Sequence, residues 1–169
     1  MPALLPVLVA PLCVLVAISD VSTRRVPNAW LLIALSFGAM LFCSEWARGH
    51  AGPPWAALIG LVTGLLVLLP FYAIRWMGAG DVKLFATYGF LLGAKALLPI
   101  WIIASLLAGA HAAYVLLANY RLRHAAQGVL DTDVVQALAS ERSKRGSPYA
   151  AFLSIGALIT LFTSSLTHW

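Results

Sequence analysis

From Leu84 to Ala118 the chain runs for 35 residues with only Lys95 and His111 to interrupt its apolar character. A single helix of that length would extend about 52 Å, far beyond a hydrocarbon core of about 30 Å, so the run reads as two membrane spans. The cluster Gly93, Lys95 and Pro99 supplies the turn between them. Such a stretch speaks against a water-soluble domain. The rest of the chain agrees: of 169 residues, 62% are hydrophobic and only 10% charged, where a soluble domain carries about 25% charged residues. Mean hydropathy is +0.90. Disorder is excluded by the same figures, since low hydrophobicity and high net charge are what keep a chain unfolded.

A spanning helix needs about 20 mainly apolar residues, and six stretches qualify: 2–19, 26–43, 55–74, 82–97, 98–118 and 149–166. The expected fold is therefore all-α, a single domain over 1–169 forming a polytopic six-helix membrane bundle, with one long polar loop at 119–148. No Lys or Arg precedes the first run, Pro2 to Ile18, so it lacks the basic start of a cleaved secretory signal and reads as a retained span. Cytoplasmic loops are enriched in Lys and Arg. With six spans the odd-numbered loops hold Arg24, Arg25, Arg75, Lys83, Arg121, Arg123, Arg142, Lys144 and Arg145, and the even-numbered loops only Arg48 and Lys95. Both termini are then expected outside. The net charge of +5 is thereby used to orient the chain, and no nucleic-acid partner is expected. Trp30, Trp46, Trp55, Trp76, Trp101 and Trp169 all fall near a span end, as interfacial aromatic residues do.

Gly60 with Gly64, and Gly89 with Gly93, have the spacing that lets membrane helices approach closely, here within the bundle. Cys13 and Cys43 lie in apolar runs, where a thiol behaves as a small hydrophobe. They suggest neither a zinc site nor a disulfide framework. In the 119–148 loop, Asp131 is placed to cap a short interfacial helix carrying Val134, Val135 and Leu138. His111 reads as a helix contact, with no second ligand at metal spacing.

Four of the six acids, Glu45, Asp131, Asp133 and Glu141, sit in evident loops. Asp20 closes span one and Asp81 opens span four. Two spans lie between them, and an even number of crossings returns the chain to the same face. Both carboxylates therefore arrive at one membrane boundary, the cytoplasmic one by the charge rule. The plain alternative is a pair of solvated acids, each near a cation. Gly78 and Gly80, just before Asp81, permit unusual backbone angles and the close approach of another chain.

Three motifs stand together: Asp20-Val-Ser-Thr-Arg-Arg-Val-Pro27-Asn28, Met77-Gly78-Ala-Gly80-Asp81-Val-Lys83-Leu84, and Ser147-Pro148-Tyr149-Ala150. In motif order and span placement this resembles the type IV prepilin peptidase family of GxGD intramembrane aspartic proteases, particularly the short form associated with tight-adherence (Flp-type) pili. The resemblance makes Asp20 and Asp81 the catalytic pair and Gly78, Gly80, Lys83, Pro27, Asn28, Pro148 and Tyr149 the surrounding motif. It implies a bacterial inner-membrane endopeptidase whose active site faces the cytoplasm. Its substrates would be prepilins or pseudopilins with a short basic leader, cut after a Gly at the cytoplasmic membrane face. Longer members also methylate the new N-terminus through an N-terminal cytoplasmic domain, for which this chain has no room before Asp20, so methyltransferase activity is not expected. Ala151 stands where the family often has Pro.

Two close carboxylates tend to share one proton, so that one activates water while the other polarises the scissile carbonyl. That chemistry requires no metal and no cofactor. Lys83 is expected to meet a carboxylate or lipid headgroups, Arg24 and Arg25 to set topology, and Asn28 to cap span two or support the Asp20 loop. The expected partners are the pilin substrate and membrane lipid, with the oligomeric state left open. Two other classes stay open at this point: a small transporter or channel component using the acids as a proton relay, and a noncatalytic scaffold of a pilus or secretion machine, in which neither acid matters.

Overall fold

The computed structural model describes residues 5–23, 26–50, 52–126 and 149–166. They form six helices: α1 (Leu5–Thr23), α2 (Asn28–Ala47), α3 (Trp55–Ala73), α4 (Ala79–Leu92), α5 (Ala94–Ala126) and α6 (Tyr149–Leu166). No strand occurs among the described residues. In hydrocarbon every backbone N–H and C=O must be satisfied within the segment, which leaves an apolar Leu-, Ala- and Val-rich chain little choice but helix. Leu5–Thr23, Asn28–Ala47, Trp55–Ala73 and Ala94–Arg121 are each long and apolar enough to cross a membrane. Ile33, Phe37 and Met40 on α2 and Ile59, Val62 and Leu66 on α3 are exposed, a surface that suits lipid tails and not water. The chain is a polytopic helical membrane protein.

The central helix is α4, in contact with α1, α2, α3, α5 and α6. Val82 and all residues from Leu84 to Leu92 are buried. At 14 residues it rises about 21 Å, less than the hydrocarbon thickness. Glycines set how closely its neighbours approach. A Cβ on Gly60 of α3 would overlap the Gly89 carbonyl of α4, and one on Gly64 would lie 2.9 Å from Ala86 Cα. On the far side of the bundle, a Cβ on Gly156 of α6 would lie 2.8 Å from the Ile100 carbonyl oxygen of α5. Gly60, Gly64 and Gly89 thus pack helices within the bundle, as their spacing predicts.

The turn between α4 and α5 is tighter than expected. Gly93 alone makes it, at φ 84°, in a region open to glycine without steric cost. Lys95 and Pro99 already lie inside α5, so Gly93 terminates α4 instead of forming a packing pair with Gly89. The expected span 82–97 becomes a helix over Ala79–Leu92, and the expected span 98–118 extends over Ala94–Ala126. Residues 119–126 are therefore helical, so the first part of the expected 119–148 loop belongs to α5. The expected short helix at Asp131 and the basic residues Arg142, Lys144 and Arg145 lie outside the described residues, as do Arg24 and Arg25.

Two helices end in the same hydrogen-bonded cap. After α2, Gly49 N donates to the Trp46 carbonyl and His50 N to that of Glu45, with Gly49 at φ 73°. After α3, Arg75 N donates to the Tyr72 carbonyl and Trp76 N to that of Phe71, with Arg75 at φ 61°. This is the Schellman arrangement, whose left-handed position glycine normally fills. Arg75 occupies it in the turn that delivers the chain to Gly78 and Asp81.

Candidate functional site

Asp20 lies in the last turn of α1 and Asp81 in the first turn of α4. With α2 and α3 between them, the two meet at the same end of the bundle, as the parity of crossings requires. Each carboxylate occupies a helix N-terminus, where free N–H groups and the helix dipole favour negative charge. Asp81 stands three residues after Gly78, the N-cap, and its Oδ2 accepts from Gly78 N at 3.3 Å. Asp20 caps a different helix. Its Oδ2 accepts from Ala151 N, in the first turn of α6, at 2.9 Å. Asp20 is only 7% exposed and Asp81 is half-buried, and the two acids interact electrostatically.

The motif residues gather around them. Val26 packs beneath the start of α4, where a Cβ on Gly80 would come within 3.4 Å of the Val26 Cβ. This contact sets the Val-Pro-Asn segment beside Gly78–Asp81. Pro27 is the N-cap residue of α2 and makes no side-chain capping bond. Asn28 does not cap α2 either. It is the first residue of the helix, and its Oδ1 accepts from Lys83 Nζ at 3.3 Å. Lys83 thus ties the start of α4 to the start of α2, a pairing across 55 residues that neither motif suggests when read alone.

Neither Gly78 nor Gly80 takes a left-handed backbone. Their use here is space: a Cβ on Gly78 would lie 3.3 Å from Asp81 Oδ2. Tyr149, the first residue of α6, lies near Asp81 of α4 and near Ser105 and Trp101 of α5. Trp101 therefore lies beside the acids' end of α6 and not at the α4–α5 turn. Pro148 lies outside the described residues. His111 packs its ring against Phe152, centroids 5.7 Å apart. Among the described residues no three His, Cys, Asp or Glu side chains gather closely enough to hold a metal ion.

Ala151 is the site residue that the sequence did not announce. Its contribution is a backbone N–H, which no side-chain pattern reports. A Pro at this position would have no N–H to donate, so the Ala at 151 is what makes the hydrogen bond to Asp20 available.

The helices and their acid pair define a class: a polytopic membrane protein whose two interacting carboxylates meet at one end of the bundle. Residues 7–113, which include both acids, match the type IV leader peptidase family. The chain belongs to that family. It is also 37% identical over 89 residues to the prepilin leader peptidase/N-methyltransferase of Bacillus subtilis (strain 168), an alignment covering 51% of this chain and 34% of that protein. The chain thus spans about a third of the length of the curated relative it matches. No solved structure matches.

Proposed function

We propose that this protein is a membrane aspartic endopeptidase that removes the basic leader from type IV, Flp-like prepilins or pseudopilins at the cytoplasmic face of the bacterial inner membrane. The observation that carries the reading is the convergence of Asp20 and Asp81, 61 positions apart in the sequence, on one end of the bundle. Family membership supports a peptidase, and the name of the Bacillus relative supports a prepilin leader as substrate.

Two interacting carboxylates do not both ionise easily, so the pair holds one proton. The ionised member takes a proton from water as the oxygen attacks the scissile carbonyl carbon. The protonated member donates to the carbonyl oxygen. Collapse of the tetrahedral intermediate returns a proton to the leaving amine and frees the mature pilin. Neither role is assigned to one residue, because coupled acids have no separate pKa values. A basic leader stays cytoplasmic by the same charge rule that orients this chain, which brings the start of the pilin's apolar helix level with the acids.

The test is cleavage of a Flp-type pilin precursor by membranes containing wild type, Asp20→Asn or Asp81→Asn. Both variants keep the side chain's size and lose its acid, and both should abolish processing. Normal trimming by either one sinks the acid-pair reading. Strong inhibition by EDTA would likewise argue against a metal-free mechanism.

A further inference from the structure

Below the acids, a second polar layer joins the same three helices. Cys13 precedes Asp20 by seven residues on α1, Tyr88 follows Asp81 by seven on α4, and Ser154 follows Ala151 by three on α6. Seven residues are about two helical turns, so Cys13 and Tyr88 fall on the same faces as the acids, about 10 Å deeper. All three are fully buried, with 0% of each exposed.

Tyr88 donates its hydroxyl hydrogen to Ser154 Oγ at 3.0 Å, and Ser154 donates to the Ala150 carbonyl oxygen at 2.8 Å. The Cys13 thiol lies near the phenol. The Ala150 carbonyl and the Ala151 N–H belong to one peptide group, and that N–H donates to Asp20 Oδ2. Donors therefore run in one direction, from Tyr88 through Ser154, across a single peptide, to the Asp20 carboxylate. Hydrogen bonds in such a chain polarise one another. A core tyrosine whose hydroxyl had merely found a partner would explain one of these bonds. It would not explain a chain that ends on Asp20.

We propose that Tyr88 is a positioning residue for the acid pair: its phenol ties α4 to α6 and, through Ser154 and the Ala150–Ala151 peptide, orients the Asp20 carboxylate of α1 toward Asp81. This rests on the acid-pair reading of the site. Facing Asp20 from the helices packed against α1 are Asp81 on α4 and the first turn of α6 that begins with Tyr149. Lys83 is engaged with Asn28.

The experiment measures kcat and KM for pilin-leader cleavage by the purified full chain, with thermal unfolding in detergent as a control. The variants are Tyr88→Phe, Ser154→Val, Ser154→Thr and the double Tyr88→Phe/Ser154→Val. Thr and Val share a shape, and Thr keeps a hydroxyl that can reach the carbonyl four residues back. Tyr88→Phe and Ser154→Val should each lower kcat about tenfold with KM within about twofold and unfolding temperature nearly unchanged. Ser154→Thr should recover most of the loss, and the double variant should fall no further than the worse single one. Wild-type kcat in Tyr88→Phe, equal behaviour of Thr and Val, or losses that track unfolding temperature would overturn the proposal while Asp20→Asn remains inactive. An active Asp20→Asn overturns the acid-pair reading itself, and the proposal with it.

Discussion

Replacing Gly60 with Ala perturbs the helix contact on which the position of Asp81 depends. The added Cβ would overlap the Gly89 carbonyl oxygen and lie 2.7 Å from its carbon and 3.1 Å from Ala94 N. These are backbone atoms, so no flexible side chain can swing aside. Non-bonded carbons rest at about 3.5–4.0 Å, and relieving the carbon contact alone moves α3 and α4 apart by about 1 Å. A gap of that size forfeits roughly a quarter to a half of the attraction at each contact it opens. Overpacking of this kind costs about 1–3 kcal/mol, of which the better helix propensity of Ala returns about 1 kcal/mol. The expected net destabilisation is therefore about 0–2 kcal/mol. Displacing α4 by about 1 Å also shifts Asp81 against Asp20, enough to slow turnover by about 100-fold. Thermal unfolding in detergent and leader cleavage read the two effects separately. The control is Gly109→Ala on α5, where a Cβ meets nothing within 4 Å and stability should hold or rise. Equal stability and turnover in the Gly60 and Gly109 variants would refute the backbone-to-backbone contact.

The exposed Lys83–Asn28 bond should couple weakly: single and double alanine variants are expected to yield an interaction of no more than about 1 kcal/mol by unfolding in a double-mutant cycle. Gly49→Ala should lose about 1 kcal/mol from backbone strain alone, because its φ is 73° with open space around it. Arg75→Gly should gain up to about that much by relieving the same conformation, with both changes read as shifts in unfolding temperature. For topology, a cysteine at Arg75 should react with an impermeant maleimide only from the cytoplasmic side, and one at Arg48 only from the outside; the reverse pattern would invert the bundle.

The acids were legible because charge is scarce and crossings can be counted. Asp20 and Asp81 stand out once the loop charges are assigned, and the parity of crossings alone puts them at one end. Helix ends were less legible: an apolar run says that a turn must occur, and only the left-handed backbone at Gly93 says where. The Lys83–Asn28 bond was hidden for a different reason, since it joins two motifs that each make sense alone. Tyr88 and Cys13 were hidden by composition. Each sits in an apolar run where an aromatic ring or a thiol is ordinary filling. Their seven-residue offsets from Asp81 and Asp20 were the available signal, because that spacing repeats a helix face. Ala151 left no comparable trace, as a backbone donor depends on where the helix begins.

The hydrogen bond between Asp20 and Ala151 spans 131 positions of the chain, which sets an order of assembly. Ribosomes add about 5–20 residues per second, so Asp20 is made roughly 7–26 s before the amide that caps it. In the later part of that interval, once α4 (Ala79–Leu92) has been made, α1 and α4 can be inserted and paired, yet the carboxylate lacks the helix terminus that holds it. Docking of α6 is therefore the step that completes the acid site, and an interruption of synthesis before Tyr149 leaves a membrane-inserted chain with both aspartates and no finished site.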